Sequence, residues 1–217
     1  MNQRNNYSFM CMTVTDIKDY KKGRYEIFLN DESAFVLYKS EIKQYNIKVN
    51  NTLTADTIKE IVNEVLTKRC KKRAMNLLLK GDMTEMKLRS KLLEGKYPEE
   101  VVDIAIKYVK SYNYIDDRRY AMSFIAYKSA TDSRNTIRRK LIEKGVAKDI
   151  IDSCIEEFYV EDELNASVEK ELIEKLILKK CKTPSALEYS DKQKLIASIM
   201  RKGFSFYDVE SVISSLS

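Results

Sequence analysis

The residues best placed to do chemistry lie in YNYIDDRRYA, Tyr112 to Ala121. Asp116 and Asp117 set two carboxylates side by side, next to Arg118 and Arg119, with Tyr112, Tyr114 and Tyr120 around them. Adjacent carboxylates can hold a divalent cation for phosphodiester chemistry. Such a site needs further acids converging from other elements, and no recognisable nuclease motif supplies them. The same residues also make a good helix start. With Asp116 as N-cap, its carboxylate accepts from a free backbone N–H, and Asp117 falls in the first turn, where the helix dipole favours an anion. Ile115, before the cap, and Tyr120, the fourth helical position, have the spacing of a hydrophobic staple. Arg119 stands at N3, so the capping box is incomplete. This reading needs no reaction.

The wider composition narrows the chemistry. The chain has 217 residues, enough for one or two domains with hydrophobic cores. It contains no His, which removes Ser-His-Asp and Cys-His nucleophile systems and the commonest zinc ligand. The four cysteines, Cys11, Cys70, Cys154 and Cys181, are far apart and form no C-x-x-C pair. They read as small apolar residues with reduced thiols. No G-x-x-x-x-G-K-[ST] loop is present. No signal peptide and no apolar run of about 20 residues is visible. What remains is chemistry run by carboxylates, Lys, Tyr or a hard cation, and a cytoplasmic protein with no cofactor and no membrane contact is expected.

The elements that must position these residues are mostly helical. With only 5 Gly and 2 Pro, long helices are favoured over a loop-rich β fold. The first forty residues differ. Alternation in MTVTDIKDY, RYEIFL and AFVLY predicts a three-stranded antiparallel sheet over Thr13–Tyr20, Arg24–Leu29 and Ala34–Tyr38. NDES and Lys21-Lys22-Gly23 supply the turns. A short helix around Glu41–Tyr45 should follow, and then a long one from about Ala55 to Lys80, capped by Thr54.

Beyond the sheet the chain repeats itself. LRSKLLEGKYPEEVVDIAI, from Leu88, aligns without gaps on IRRKLIEKGVAKDIIDSCI, from Ile137. IASIMRKGFSFYDVESVI keeps part of the same pattern, with Gly203 where the second copy has Gly145. YIDDRRYA, from Tyr114, has a counterpart in YVEDELNA, Tyr159 to Ala166. Each unit reads as three helices, the first opening at Ala74, Tyr120 or Ala166. A unit this short cannot bury its stripe alone, so the units should stack. The expected architecture is mainly α: tandem three-helix repeats in an elongated curved stack, with a small N-terminal antiparallel β-sheet. The expected boundaries are 1–53 for the β extension, 54–115 for the long helix and first repeat, 116–158 for the second repeat and 159–217 for the third. The recurrence of the Asp-Asp segment argues for a structural corner and against a unique active site.

Charge points to a partner. The net charge is +6. From Leu66 to Lys96 there are ten Lys/Arg against three acids, whereas from Asp149 to Lys175 there are ten acids against two Lys. The basic candidates are Lys68, Arg69, Lys71, Lys72 and Arg73 in the long helix, with Arg89 and Lys91 in the first repeat. Arg134, Arg138, Arg139 and Lys140 join them in the second. Basic positions that recur with a repeat could track phosphates or an acidic protein groove. They could equally be solvated helix faces. No aromatic-interleaved basic motif of the single-strand-binding kind is evident.

YIDDRRYA, followed by RRKLIEKGV and then DIIDSCIEEF, resembles the RecX family of bacterial RecA regulators. The family often has Gly where this chain has Asn113. The resemblance spans about Ala74 to Leu216, and the N-terminal sheet resembles the extension of longer members. It implies a protein without catalytic activity that binds the RecA filament on DNA and restrains recombinase and coprotease activity, in DNA repair and the SOS response. Weak direct nucleic-acid binding is a further expectation, and nothing demands more than a monomer. The alternative is an autonomous helical DNA-binding protein. The family's contact residues form no transferable motif, so the binding candidates rest on charge alone.

Overall fold

The structure is a computed structural model that describes residues 11–161, 165 and 167–216. The chain opens with β1 (Met12–Asp19), β2 (Arg24–Leu29) and β3 (Glu32–Tyr38), then a short α1 (Lys39–Gln44) and β4 (Thr52–Leu53). The sheet is antiparallel in the order β3-β2-β1-β4. Among the described residues it therefore has four strands, not three. Met12 and Thr13 of β1 pair with Leu53 and Thr52. Two residues are too few to show a period of two, so the pattern could not reveal β4. Between β2 and β3, Asn30 and Asp31 both adopt positive φ, the geometry of a tight hairpin turn.

The long helix is a continuous rod in three parts: α2 (Ala55–Glu60), a π-helical stretch (Ile61–Thr67) and α3 (Lys68–Leu78). Thr54 caps it by accepting from the Thr57 amide at 3.2 Å. The widened turn was not anticipated. Its stripe is β-branched, and Thr67 Oγ1 donates to the Val62 carbonyl at 2.8 Å, a bond that competes with the regular ladder. Then follow α4 (Glu85–Leu93), α5 (Glu99–Ser111), α6 (Asp117–Lys128), α7 (Arg134–Glu143), α8 (Lys148–Glu156), α9 (Val168–Lys180), α10 (Tyr189–Met200) and α11 (Phe206–Ser215). A π-helical turn, Glu157–Glu161, extends α8. In each repeat the first and third helices pack together: α3 on α5, α6 on α8, α9 on α11.

Two compact units result. The first comprises residues up to Asp82 together with Lys87–Ile115, and the second comprises Met83–Met86 and the chain from Asp116. In the second unit, Ala121, Ile125, Ile137, Leu141, Ile151 and Cys154 are buried in one core. Ile173, Ile177, Ile196, Ile199, Val209 and Ile213 are buried in another. The middle helix of each repeat ends at a left-handed residue: Lys96 after α4, Gly145 after α7 and Gly203 after α10.

The same joint occurs twice in the second unit. Ahead of α4, Thr84 Oγ1 donates to the Lys144 carbonyl at 2.5 Å, and the Glu85 amide donates to Asp117 Oδ1 at 2.9 Å. Ahead of α7, Ser133 Oγ donates to the Lys202 carbonyl at 3.0 Å, and the Arg134 amide donates to Glu169 Oε1 at 2.9 Å. In both, a hydroxyl before a middle helix meets the last carbonyls of the next repeat's middle helix. A carboxylate early in that next repeat takes the first amide, satisfying a donor that would otherwise be orphaned.

Candidate polyanion interface

Asp116 accepts from the Arg119 amide at 3.0 Å and so caps α6. Asp117 reaches instead to the amide of Glu85 in α4. Ile115 is buried, and Tyr120 packs on the core of the second repeat. Asn113 takes a left-handed φ of 54°, a conformation that glycine or asparagine tolerates best. The expected equivalence with Tyr159 is looser than its letters suggest. Tyr159 is buried in the π-helical end of α8, whereas Tyr114 is exposed in a loop. Asp162, Glu163, Leu164 and Ala166 of that second segment lie outside the described residues. Among the described residues no group of three His, Cys, Asp or Glu could hold a metal ion. Burial pushes the Cys70 thiol up to about 12 and raises that of Cys154, so neither offers a thiolate nucleophile.

The basic candidates divide sharply. Those of the second repeat face acids within the same unit: Arg134 pairs with Glu169, Arg138 with Asp152, Arg139 with Glu143 at 3.8 Å and Lys140 with Asp132 at 2.7 Å. In the first unit, Lys68 pairs with Glu64 at 2.7 Å and Arg89 with Asp103 at 2.6 Å. Exposed pairs of this kind add little stability. They nevertheless commit the charge, because a phosphate must displace the acid to gain the contact. Lys71 lies over the Tyr108 ring, 4.8 Å from its centroid.

Lys72, Arg73 and Lys91 have no ion pair among the described residues, and they meet in one place. A cleft of about 560 Å³ in the first unit is lined by Lys72, Arg73 and Asn76 of α3, by Lys91, Glu94 and Gly95, and by Tyr97. Its opposite wall is the β1–β2 turn, with Tyr20, Lys21, Lys22 and Arg24, together with Tyr38 and Arg69. Seven basic side chains thus face one acid. The turn is held there because Tyr20 donates its hydroxyl to the Glu94 carbonyl at 3.0 Å, and Lys96 pairs with Glu26 at 3.2 Å. Lys22 sits at a left-handed φ of 54°, beside Gly23.

Arg69 is a strut within this cleft. Its Nη1 bonds both carboxylate oxygens of Glu41, at 3.1 and 2.9 Å, and its Nη2 donates to the Val36 carbonyl. Its guanidinium also lies 5.1 Å from the Tyr38 ring and 5.8 Å from that of Tyr97. Burial raises the Tyr97 hydroxyl above the usual tyrosine range, against the opposing pull of Arg69. Lys21 and Arg24 stack on Tyr20, at 5.7 and 5.2 Å. The cleft's rings are therefore occupied by cations, and its open chemistry is positive charge. Lys21, Lys22 and Arg24 were not among the sequence candidates. Their signal was a two-lysine turn, which reads as ordinary loop polarity until the fold sets it against α3.

A family model described as "Repeat of unknown function (DUF7951)" matches residues 37–204. The regulatory protein RecX of Clostridium botulinum (strain Alaska E43 / Type E3) is 30% identical over 93% of this chain and 94% of its own length. That of Clostridium perfringens (strain 13 / Type A) is 28% identical over 94% of this chain and 95% of its own. The crystal structure of a regulatory protein RecX superposes with a TM-score of 0.61 at 28% identity, covering 93% of this chain and 98% of that one. RecX from Lactobacillus salivarius, 23% identical over 70% of this chain and 96% of its own, shares the fold with a TM-score of 0.62. With its repeated three-helix units, its N-terminal sheet and these relatives over nearly its whole length, the chain belongs to the RecX family.

Proposed function

We propose that this protein regulates the RecA recombinase by binding the RecA filament on DNA, with no catalysis of its own, and that the first-unit cleft supplies its contact with phosphates. The observation that carries the cleft assignment is the contrast in pairing. Arg134, Arg138, Arg139 and Lys140 are matched by acids, while Lys22, Lys72, Arg73 and Lys91 converge unpaired on one cavity. Unpaired cations in a concave wall focus a positive potential, which suits a polyanion. Both acids of the Asp-Asp segment are engaged in helix capping, which supports a regulator over a nuclease.

The test is ATP hydrolysis by RecA on single-stranded DNA, with and without this protein, across salt concentrations. Hydrolysis should fall as the protein is added, with no cleavage of the DNA. Lys72→Gln with Arg73→Gln should weaken the inhibition and make it less salt-sensitive. Normal turnover at stoichiometric excess of the protein would sink the reading.

A further inference from the structure

The outer face of α5 carries Ile104, Tyr108 and Tyr112 at intervals of four residues, so their side chains share one stripe. Ile104 and Tyr112 are 41% and 57% exposed. After α5 ends, the left-handed turn at Asn113 folds Tyr114 back onto Tyr112. Ring centroids stand 5.0 Å apart from Tyr108 to Tyr112 and 5.8 Å apart from Tyr112 to Tyr114, the latter pair 16° from parallel. Single exposed tyrosines need no explanation. Tyr108 is half-buried beneath Lys71, whereas Tyr112 and Tyr114 present flat apolar surface to water.

This ladder is linked to the basic cleft through α3. Cys70, Ala74 and Leu77 mark the buried side of that helix. At the helical spacing of about 100° per residue, Lys71, Lys68 and Lys72 succeed one another around its outer side. Lys71 touches Tyr108 at one end of this arc, and Lys72 lines the cleft at the other. Lys68 between them is held by Glu64, so the uncommitted lysines mark the two ends of the arc, Lys71 beside the tyrosines and Lys72 at the cleft.

We propose that the first unit binds single-stranded nucleic acid directly, with phosphates at Lys71 and Lys72 of α3 and in the cleft, and unpaired bases stacked on Tyr112 and Tyr114. The inference rests on reading the cleft as a phosphate site and adds the strandedness of what it takes. Base–aromatic stacking is sequence-tolerant, because every base has a π face. A duplex keeps those faces inside its own stack, so it can use the cations but not the ladder. An acidic peptide is in the same position.

The experiment is fluorescence anisotropy of a labelled oligothymidylate of about 16 nucleotides with the full chain and no RecA. Tyr112→Ala with Tyr114→Ala should weaken binding about tenfold or more while leaving the salt dependence unchanged. The two tyrosines are exposed, so circular dichroism and the melting temperature should stay as they are in the parent. Lys72→Gln with Arg73→Gln should instead lower the slope of log K against log salt by about 1.4, at about 0.7 per phosphate contact. Affinity indifferent to the two tyrosines would overturn the proposal, as would equal competition by a hairpin duplex or by polyglutamate. The assay lacks RecA, so its outcome is separable from the regulatory reading. Ladder-dependent binding without inhibition of RecA leaves this proposal standing, and inhibition with a ladder-independent oligonucleotide removes it alone.

Discussion

Replacing Gly203 with alanine perturbs the joint ahead of α7 at its tightest point. Gly203 has a φ of +92°, and a Cβ there would lie 2.5 Å from Ser133 Oγ and 2.7 Å from Thr136 Oγ1. Both hydroxyls donate to the Lys202 carbonyl, at 3.0 and 3.1 Å. The left-handed backbone costs an L-residue about 1–2 kcal/mol. Displacing the two hydroxyls costs about 1 kcal/mol each. The stiffer unfolded chain returns about 0.4–1 kcal/mol. The expected loss is about 2–3.5 kcal/mol. Gly23→Ala is the control: it has φ +71° but nothing within 4 Å of the added carbon, so it should cost about 1.5 kcal/mol or less. Equilibrium urea unfolding followed by circular dichroism measures both. A protein with two units can show two transitions, and Gly203→Ala should move only that of the second unit. Ser133→Ala removes one of the clashing hydroxyls, so the double variant should lose less than the two single losses together. Equal losses for Gly203→Ala and Gly23→Ala would refute the joint as a source of stability.

Two further outcomes follow from the other struts. Arg69→Ala removes the cation beside the mostly buried Glu41, leaving it the Tyr38 amide, and strips the Val36 carbonyl of its guanidinium donor, so it should destabilise by about 2–3 kcal/mol in urea, whereas Lys72→Gln and Arg73→Gln should leave stability nearly unchanged. Glu169 responds to pH. Burial raises its carboxyl above the ordinary value of 4.5, against the opposing pull of Arg134. The folded state therefore holds a proton that the unfolded state has already lost, and stability declines as pH rises from about 4.5 through the folded value. Glu169→Gln should flatten that decline while keeping an acceptor for the Arg134 amide, as urea midpoints at about pH 4.5 and pH 7 would show.

Much of the fold was legible because its information is local. The tandem Leu-Leu and Val-Val stripes, the hydroxyl cap at Thr54 and the acid cap at Asp116 each depend on neighbours within a turn. What was hidden depends on partners far along the chain. Asp117 read as a first-turn anion, but its acceptor role is directed at Glu85, 32 residues earlier. Arg138 and Arg134 looked like an open basic face until packing brought up Asp152 and Glu169. The cleft pools a strand turn with α3, and no periodicity links Lys22 to Lys72. The tyrosine ladder was half visible, since Tyr108 and Tyr112 are four apart. The missing half was the left-handed Asn113, which brings Tyr114 into the stack.

The twice-made joint also has a direction. Its plug is a hydroxyl ahead of a middle helix, Thr84 or Ser133, and its socket is the carbonyl end of the following repeat's middle helix, at Lys144 or Lys202. The third middle helix, α10, begins at Tyr189 with Glu188 at its cap position and makes no side-chain cap bond. It has a socket but no plug. A fourth repeat joined after the third would meet a carboxylate where the connection needs a hydroxyl. An engineered array that repeats this joint at α10 would have to replace Glu188 with a hydroxyl residue.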